Sequence, residues 1–297
     1  MRCDLQEIAD SRVRLRYSVE LKYEVAGEAD FILAVHAAKT GRQVVVDEQF
    51  EVSTGTAYSL ATDPASGNRV ASFRAQPGRL VAKYQARVDI AHRIVDPDEL
   101  VAEAPASLPV TALPFLFPSR YCQADLVSQH AWDTFGHLPR GYGQVQAVRD
   151  WINRDFRFQV GASNSRTSAM ETLRDRVGVC RDFAHTMITY CRALNYPARF
   201  ATGVDFGADP ALGPPDFHAY VEVYVGGAWF MFDATAISPI TGLVRIATGR
   251  DAADVSFATI FGPVATGMPL VRVDAVEDPS QGVFAPAATD LAVSTAD

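Results

Sequence analysis

Cysteine is scarce in this chain of 297 residues: Cys3, Cys122, Cys180 and Cys191 are the whole supply, with no C-x-x-C pair and no metal-ligand spacing among them. That usage suits reduced thiols better than a disulfide frame and leaves a single thiol free for chemistry. Basic charge is also short, at 27 Lys and Arg against 35 Asp and Glu, a formal net charge of −8 with no run of five basic residues. Such a balance argues against a nucleic-acid or anionic-membrane partner. Long hydrophobic runs are missing too. No 18-residue apolar stretch could span a bilayer, and Met1-Arg2-Cys3-Asp4-Leu5 lacks the apolar core of a signal peptide, so cytoplasmic residence is the expectation. No D-x-D-x-D-G calcium loop and no fixed-period repeat is present. Neither a cofactor nor a metal is expected.

What is there describes a folded protein. Hydrophobic residues make up 48% and charged residues 21%, and the length suggests two domains that each bury a core. Residues 12–93 alternate apolar and polar side chains between Gly, Asp and Pro breaks, with Val13, Leu15, Tyr17, Val19 and Leu21 on one face. This predicts a β-sandwich of short strands. Pro97, Pro105, Pro109, Pro114 and Pro118 then mark a crossing between domains. The expected division is a sandwich over 1–107, a second domain over 108–277 and a poorly ordered tail over 278–297. In the second domain, residues 124–135 and 144–156 have helical spacing, and a further helix opens near Cys180. A strand over 198–206, the Gly- and Pro-rich stretch 207–215 and a hairpin follow. The class is α+β, helices first and sheet second.

Three residues stand out chemically. Cys180 follows Gly178-Val179 and opens the amphipathic segment Arg181-Asp182-Phe183-Ala184-His185. At a helix start, the dipole and unpaired N–H groups favour the thiolate that attacks carbonyl carbon. Taken alone, a cysteine in an apolar helix is more often a small buried hydrophobe than a nucleophile, and Cys191, eleven residues along the helix, is that case. Next, Asp216-Phe217-His218-Ala219-Tyr220 runs through Val225 to Gly226-Gly227 and on to Trp229-Phe230-Met231-Phe232-Asp233. If Gly226-Gly227 is a two-residue turn, paired numbers sum to 453 and Asp233 faces Tyr220. His218 shares a face with Tyr220, so Asp233 becomes its diagonal neighbour. A one-residue change in the loop would separate them. Cysteine at a helix start, strand histidine and adjoining aspartate compose a nucleophile, its base and an orienting carboxylate, the set that thiol acyl transfer requires.

Gly178-Val-Cys-Arg-Asp-Phe-Ala-His185, Phe217-His-Ala-Tyr-Val-Glu-Val-Tyr224 and Trp229-Phe-Met-Phe-Asp-Ala-Thr235 together resemble the core of bacterial transglutaminase-like proteins, and the β-rich first half is similar to their N-terminal region. The resemblance implies a papain-like cysteine-protease fold and assigns Cys180, His218 and Asp233 as the catalytic residues. The expected substrate is a peptide or protein amide. Hydrolysis is the favoured outcome, with acyl transfer to an amine and a non-catalytic binding module as alternatives. The Cys180 N–H is the first candidate oxyanion donor, with Tyr121 and Trp151 as candidates for the second. His185, five residues past Cys180, does not share its helix face and reads as structural. Asp182 reads as a helix-dipole partner and Arg181 as a cleft-edge charge. Tyr220 and Trp229 are expected to pack beside the three residues. Gly249-Arg250-Asp251-Ala252-Ala253-Asp254-Val255 reads as a turn and salt-bridge cluster, and 207–215 as a surface loop or a lip over the cleft.

Overall fold

A computed structural model describes residues 12–209, 211 and 215–296. Cys3 and the first residues of the chain lie outside that range. Seven strands come first: β1 (Arg12–Val25), β2 (Ala29–Leu33), β3 (Gln43–Val52), β4 (Ser59–Thr62), β5 (Arg69–Ala75), β6 (Gly78–Ile90) and β7 (Arg93–Val95). β1 alternates as expected, with Val13, Leu15, Tyr17, Val19, Leu21, Tyr23 and Val25 all buried. It pairs antiparallel with β6 along its full length, and β6 pairs with β3. The sheet β2, β5 and β4 packs against this one through aromatic contacts such as Tyr23 on Phe31, with ring centroids 5.1 Å apart. These two layers are the sandwich.

The proline-rich crossing contains only short 3-10 turns, Pro97–Glu99, Pro105–Ser107 and Leu113–Leu116. Helix α1 (Ser128–Phe135), α2 (Tyr142–Asp155), α3 (Ala169–Asp175) and α4 (Cys180–Ala193) follow, with the two-residue parallel strands β8 (Arg157–Phe158) and β9 (Val177–Gly178) among them. The second sheet has the order β12 (Ala228–Phe232), β11 (Phe217–Val225), β10 (Ala198–Asp205), β13 (Leu243–Gly249), antiparallel throughout. Helix α4 packs on β10 and β11, and Phe183, Met187 and Ile188 are buried with Val221 and Val223 in the main core. Helix carrying the cysteine and antiparallel sheet carrying the histidine form the papain-like α+β arrangement.

The division of the chain differs from the expectation. Past residue 250 it returns to the sandwich. β14 (Ala258–Phe261) pairs with β2, while β15 (Val264–Thr266), β16 (Leu270–Ala275) and β17 (Val283–Phe284) pair with β1. The first unit is therefore completed by strands more than 200 residues away in sequence, which sequence-local punctuation does not reveal.

Over its described residues, 278–296, the last segment also departs from the expectation of a poorly ordered tail over 278–297. β18 (Ala292–Ser294) pairs with β7, and Val293 is fully buried with Tyr220, Met231 and Leu243 on one face of the second sheet. Its Ala, Ser and Thr content reads as disorder in isolation, yet small side chains are what fit between two packed units. Placing a carboxylate there by Val293→Asp is expected to cost about 3 kcal/mol and lower Tm by roughly 6 °C. An unchanged thermal unfolding curve would show that the segment contributes nothing to stability.

Candidate active site

Helix α4 begins at Cys180, with Val179 as its cap. Val179 has no capping oxygen, and the helix start is fastened instead by the Asp182 carboxylate at N3, which reaches back to accept the Val179 N–H at 2.9 Å. This close approach requires glycine at 178, where an added Cβ would lie 2.7 Å from the Asp182 Cβ. Asp182 is also paired with Arg181 at 3.0 Å, and the Arg181 guanidinium donates to the Asn164 carbonyl at 2.7 Å and the Ser163 hydroxyl at 3.3 Å. The sulfur thus sits on a helix start that is anchored to the 163–164 loop. As the first helical residue, Cys180 has an N–H without an intrahelical acceptor.

The hairpin has the predicted register. Gly226 and Gly227 both take positive φ, 60° and 78°, and Val225 pairs with Ala228 and Val221 with Phe232. A two-residue turn with both central residues left-handed matches the strand twist, which is why Gly-Gly is suited to it. One residue past β12, the Asp233 Oδ2 accepts from His218 Nε2 at 3.0 Å. Its Oδ1 accepts the Thr235 N–H at 2.8 Å and the Thr235 hydroxyl at 2.7 Å. With Nε2 committed to the carboxylate, Nδ1 is the ring nitrogen left for Cys180, which lies close enough to add to the forces that raise the imidazole. The structure therefore brings Cys180, His218 and Asp233 together.

Electrostatics favour the charged pair. Burial alone pushes the His218 imidazole down, but the Asp233 charge and hydrogen bond, helped by Cys180, outweigh it and hold the imidazole well above its ordinary value. Burial likewise pushes Asp233 up, and His218 with the two Thr235 donors outweighs that and holds the carboxyl below its ordinary value. The other two described thiols, Cys122 and Cys191, are fully buried. Burial pushes Cys122 up to about 12 and raises Cys191 further.

Several neighbours settle into structural roles. His185 is fully buried, stacks on Tyr121 with centroids 4.9 Å apart, and accepts the Ala252 N–H at Nε2. The 249–255 segment is the turn expected: Arg250 pairs with Asp254 at 2.9 Å, and buried Asp251 accepts the Tyr121 N–H at 2.9 Å. The candidates for the second oxyanion donor are placed otherwise: the Tyr121 hydroxyl donates to the Ser165 carbonyl, and the Trp151 ring packs among Phe135, Phe156 and Tyr190. Trp229 is not beside the three residues either. It pairs with Tyr224 towards the far end of the hairpin and packs on Phe115 and Arg199.

Two supporting residues escaped the sequence reading. Asn153 on α2 donates to the Ala234 and Thr235 carbonyls at 3.2 and 2.9 Å, fixing the loop that bears Asp233. Thr235 holds the second carboxylate oxygen, and Asp followed by a hydroxyl residue two positions on is a turn signal that could have found it. Behind the loop lies a cavity of about 690 Å³, lined by Asp233, Gln146, Arg149, Ser238 and residues 288–291.

Comparison with known proteins follows the same outline. Residues 129–234 match the transglutaminase-like superfamily, and residues 13–111 match the bacterial transglutaminase N-terminal domain. A solved structure from Cytophaga hutchinsonii, described as a "putative cysteine protease", is 36% identical and superposes with a TM-score of 0.89 over 96% of this chain and 98% of that one. An uncharacterized protein of Mycobacterium leprae is 29% identical over 125 residues, 40% of this chain and 44% of that protein, so the chain spans less than half of that relative. The periplasmic domain of TgpA from Pseudomonas aeruginosa is 16% identical over 78% of this chain and 93% of that one, with a TM-score of 0.39, too low to support any argument.

Two outcomes are expected. Iodoacetamide at pH 7 should label Cys180 at least ten times faster than Cys122 and Cys191, and His218→Ala should remove that advantage; equal labelling of all three thiols by mass spectrometry would overturn the activated-thiol assignment. Raised His218 stabilises the fold fully below 6.5 and loses this as pH climbs through its folded value, whereas lowered Asp233 stabilises above 3.8 and loses this on acidification. The stability difference between wild type and Asp233→Asn in urea unfolding should therefore peak between those values, at about 3 kcal/mol, and shrink at alkaline pH. A difference that is flat across pH would contradict the pair.

Proposed function

The chain belongs to the transglutaminase-like superfamily, and from that premise we propose that it performs thiol-dependent acyl chemistry on an amide of a peptide or protein, with hydrolysis as the outcome. The observation that supports this most directly is the buried hydrogen bond between Asp233 and His218 beside a cysteine at a helix start. In this reading the Cys180 thiolate attacks the amide carbonyl carbon and the Cys180 N–H steadies the oxyanion. His218, having taken the thiol proton, delivers it to the departing amine as the carbon–nitrogen bond breaks. Asp233 holds the ring so that Nδ1 faces sulfur and stabilises the imidazolium. Water, deprotonated by His218, then attacks the thioester and frees Cys180.

Acyl transfer differs only in that an amine replaces this water, so the same three residues serve it. The reading of a non-catalytic module that keeps the cleft is weakened by the geometry, since a fold retained only for docking has no need to keep a buried imidazole and carboxylate paired.

Incubation with an unfolded protein mixture, with and without dansylcadaverine, tests the proposal. New peptide termini with no fluorescent product are expected, together with a thioester-bound peptide on Cys180 in intact-mass spectra, all lost in Cys180→Ala. Fluorescent incorporation in place of cleavage would move the assignment to transferase. The absence of both, with Cys180 still reactive to iodoacetamide, would reject general peptide cleavage.

A further inference from the structure

The face of the second sheet that carries His218 continues past the imidazole to two acidic positions. Gly203 pairs with His218 and Val204 with Phe217. Extending that register by one residue sets Asp216, just before β11, opposite Asp205 at the end of β10, and by two-residue alternation both project to the same side as His218. Asp216 is two positions from His218 along the chain, about 7 Å at ~3.4 Å per residue. Asp205 is 8% exposed, and its Oδ2 has no hydrogen-bond partner. Asp216 is exposed, with one oxygen accepting the Phe217 N–H at 2.7 Å. Partial burial and then the charge of Asp205 push the Asp216 carboxyl up, so the two groups lie within each other's field.

A buried carboxylate oxygen without a donor is costly, and a like charge facing it adds to the cost. The cation on the adjoining strand, Arg245, is committed to Glu222 at 3.1 Å. Calcium takes six to eight oxygen ligands, and no group of three or more potential metal ligands occurs among the described residues. Two carboxylates at one edge of the imidazole instead match a single organic cation.

We propose that Asp205 and Asp216 form a cation subsite beside His218, where the unpartnered Asp205 oxygen and the facing Asp216 receive an ammonium or guanidinium group of the substrate. The proposal rests on Cys180 being the nucleophile and names the substrate class for that site. The cation belongs either to a basic side chain of the acyl donor or to the amine that resolves the thioester.

The test compares alkylation of Cys180 by cationic 2-bromoethylammonium with alkylation by neutral iodoacetamide. Wild type, Asp216→Asn, the Asp205→Asn/Asp216→Asn pair and a remote pair with the same charge change, Asp274→Asn/Glu277→Gln, are used. The cation-to-neutral rate ratio should fall roughly ten-fold in the subsite pair, part of the way in Asp216→Asn, and stay put in the remote pair. Because Asp216 is exposed, Asp216→Asn retains the fold and keeps the test valid if the double variant does not. An unchanged ratio in Asp216→Asn and the pair, as two carboxyls sharing one proton would give, overturns the subsite; so does an equal fall in the remote pair. Slow iodoacetamide labelling in every variant would instead reject Cys180 as nucleophile, which is a separate failure. Nitrophenyl esters of lysine against norleucine peptides then assign the cation to the donor if lysine accelerates acylation. Cadaverine against neutral hydroxylamine assigns it to the acceptor if cadaverine accelerates deacylation. Either effect must be reduced in Asp216→Asn and lost in the Asp205→Asn/Asp216→Asn pair, and its undiminished persistence in Asp216→Asn overturns the subsite.

Discussion

The buried pair of His218 and Asp233 is the interaction on which the rest of the second unit depends. Neither group tolerates burial alone, and each is pushed away from its charged form by loss of water. Their mutual contact, 3.0 Å long, reverses both tendencies, with help from Cys180 on one side and Thr235 on the other. That contact exists in one strand register. A slip of one residue between β11 and β12 would send Asp233 to the opposite face and leave an unpaired imidazole in the interior. The Gly-Gly turn, the Thr235 donors and the Asn153 amide on α2 can each be read as devices that hold that register to its end.

Helix α4 supplies the other half of the site and is secured at both ends. Asp182 closes its start. Near its end, buried Arg192 donates to the carbonyls of Phe117, Ala198 and Arg250, tying the proline-rich crossing, β10 and the turn after β13 to one guanidinium. The position of the sulfur relative to the sheet is thus set by hydrogen bonds across segments well separated in sequence. On the face of the sheet that holds Tyr220 and Met231, fully buried Glu222 bridges Arg199 and Arg245. Three strands are joined there by charge, an arrangement that favours one alignment because any other leaves a buried ion unmatched.

The sandwich and the second unit are less separable than a chain divided at 107 suggests. The strands after residue 257 complete the first sheets, and β18 lies against the second. A segment that contributes to both units couples their stabilities, and its 288–291 stretch also lines the cavity behind Asp233. The relative from Cytophaga hutchinsonii superposes over nearly the whole of both chains, which places the same two units in the same relation there.

Read alone, the sequence was sufficient for whatever depends on short-range periodicity and turn chemistry. Alternation in residues 13–25 locates the first long strand, the spacing after Gly178 locates the helix start, and the arithmetic of a Gly-Gly turn places Asp233 next to His218. Tertiary structure alone decided what depends on contacts between distant segments. Tyr121 looked available as a donor until Ser165 and Asp251 claimed it, Trp229 looked adjacent to the site until its register put it opposite Tyr224, and the last twenty residues looked loose until β7 and Met231 covered them. The acidic pair at 205 and 216 belongs with these, for its meaning lies in the facing of two strands and in an oxygen without a partner. Local pattern records which backbone conformation a segment prefers. Which side chains share a desolvated space is set only when the chain closes on itself.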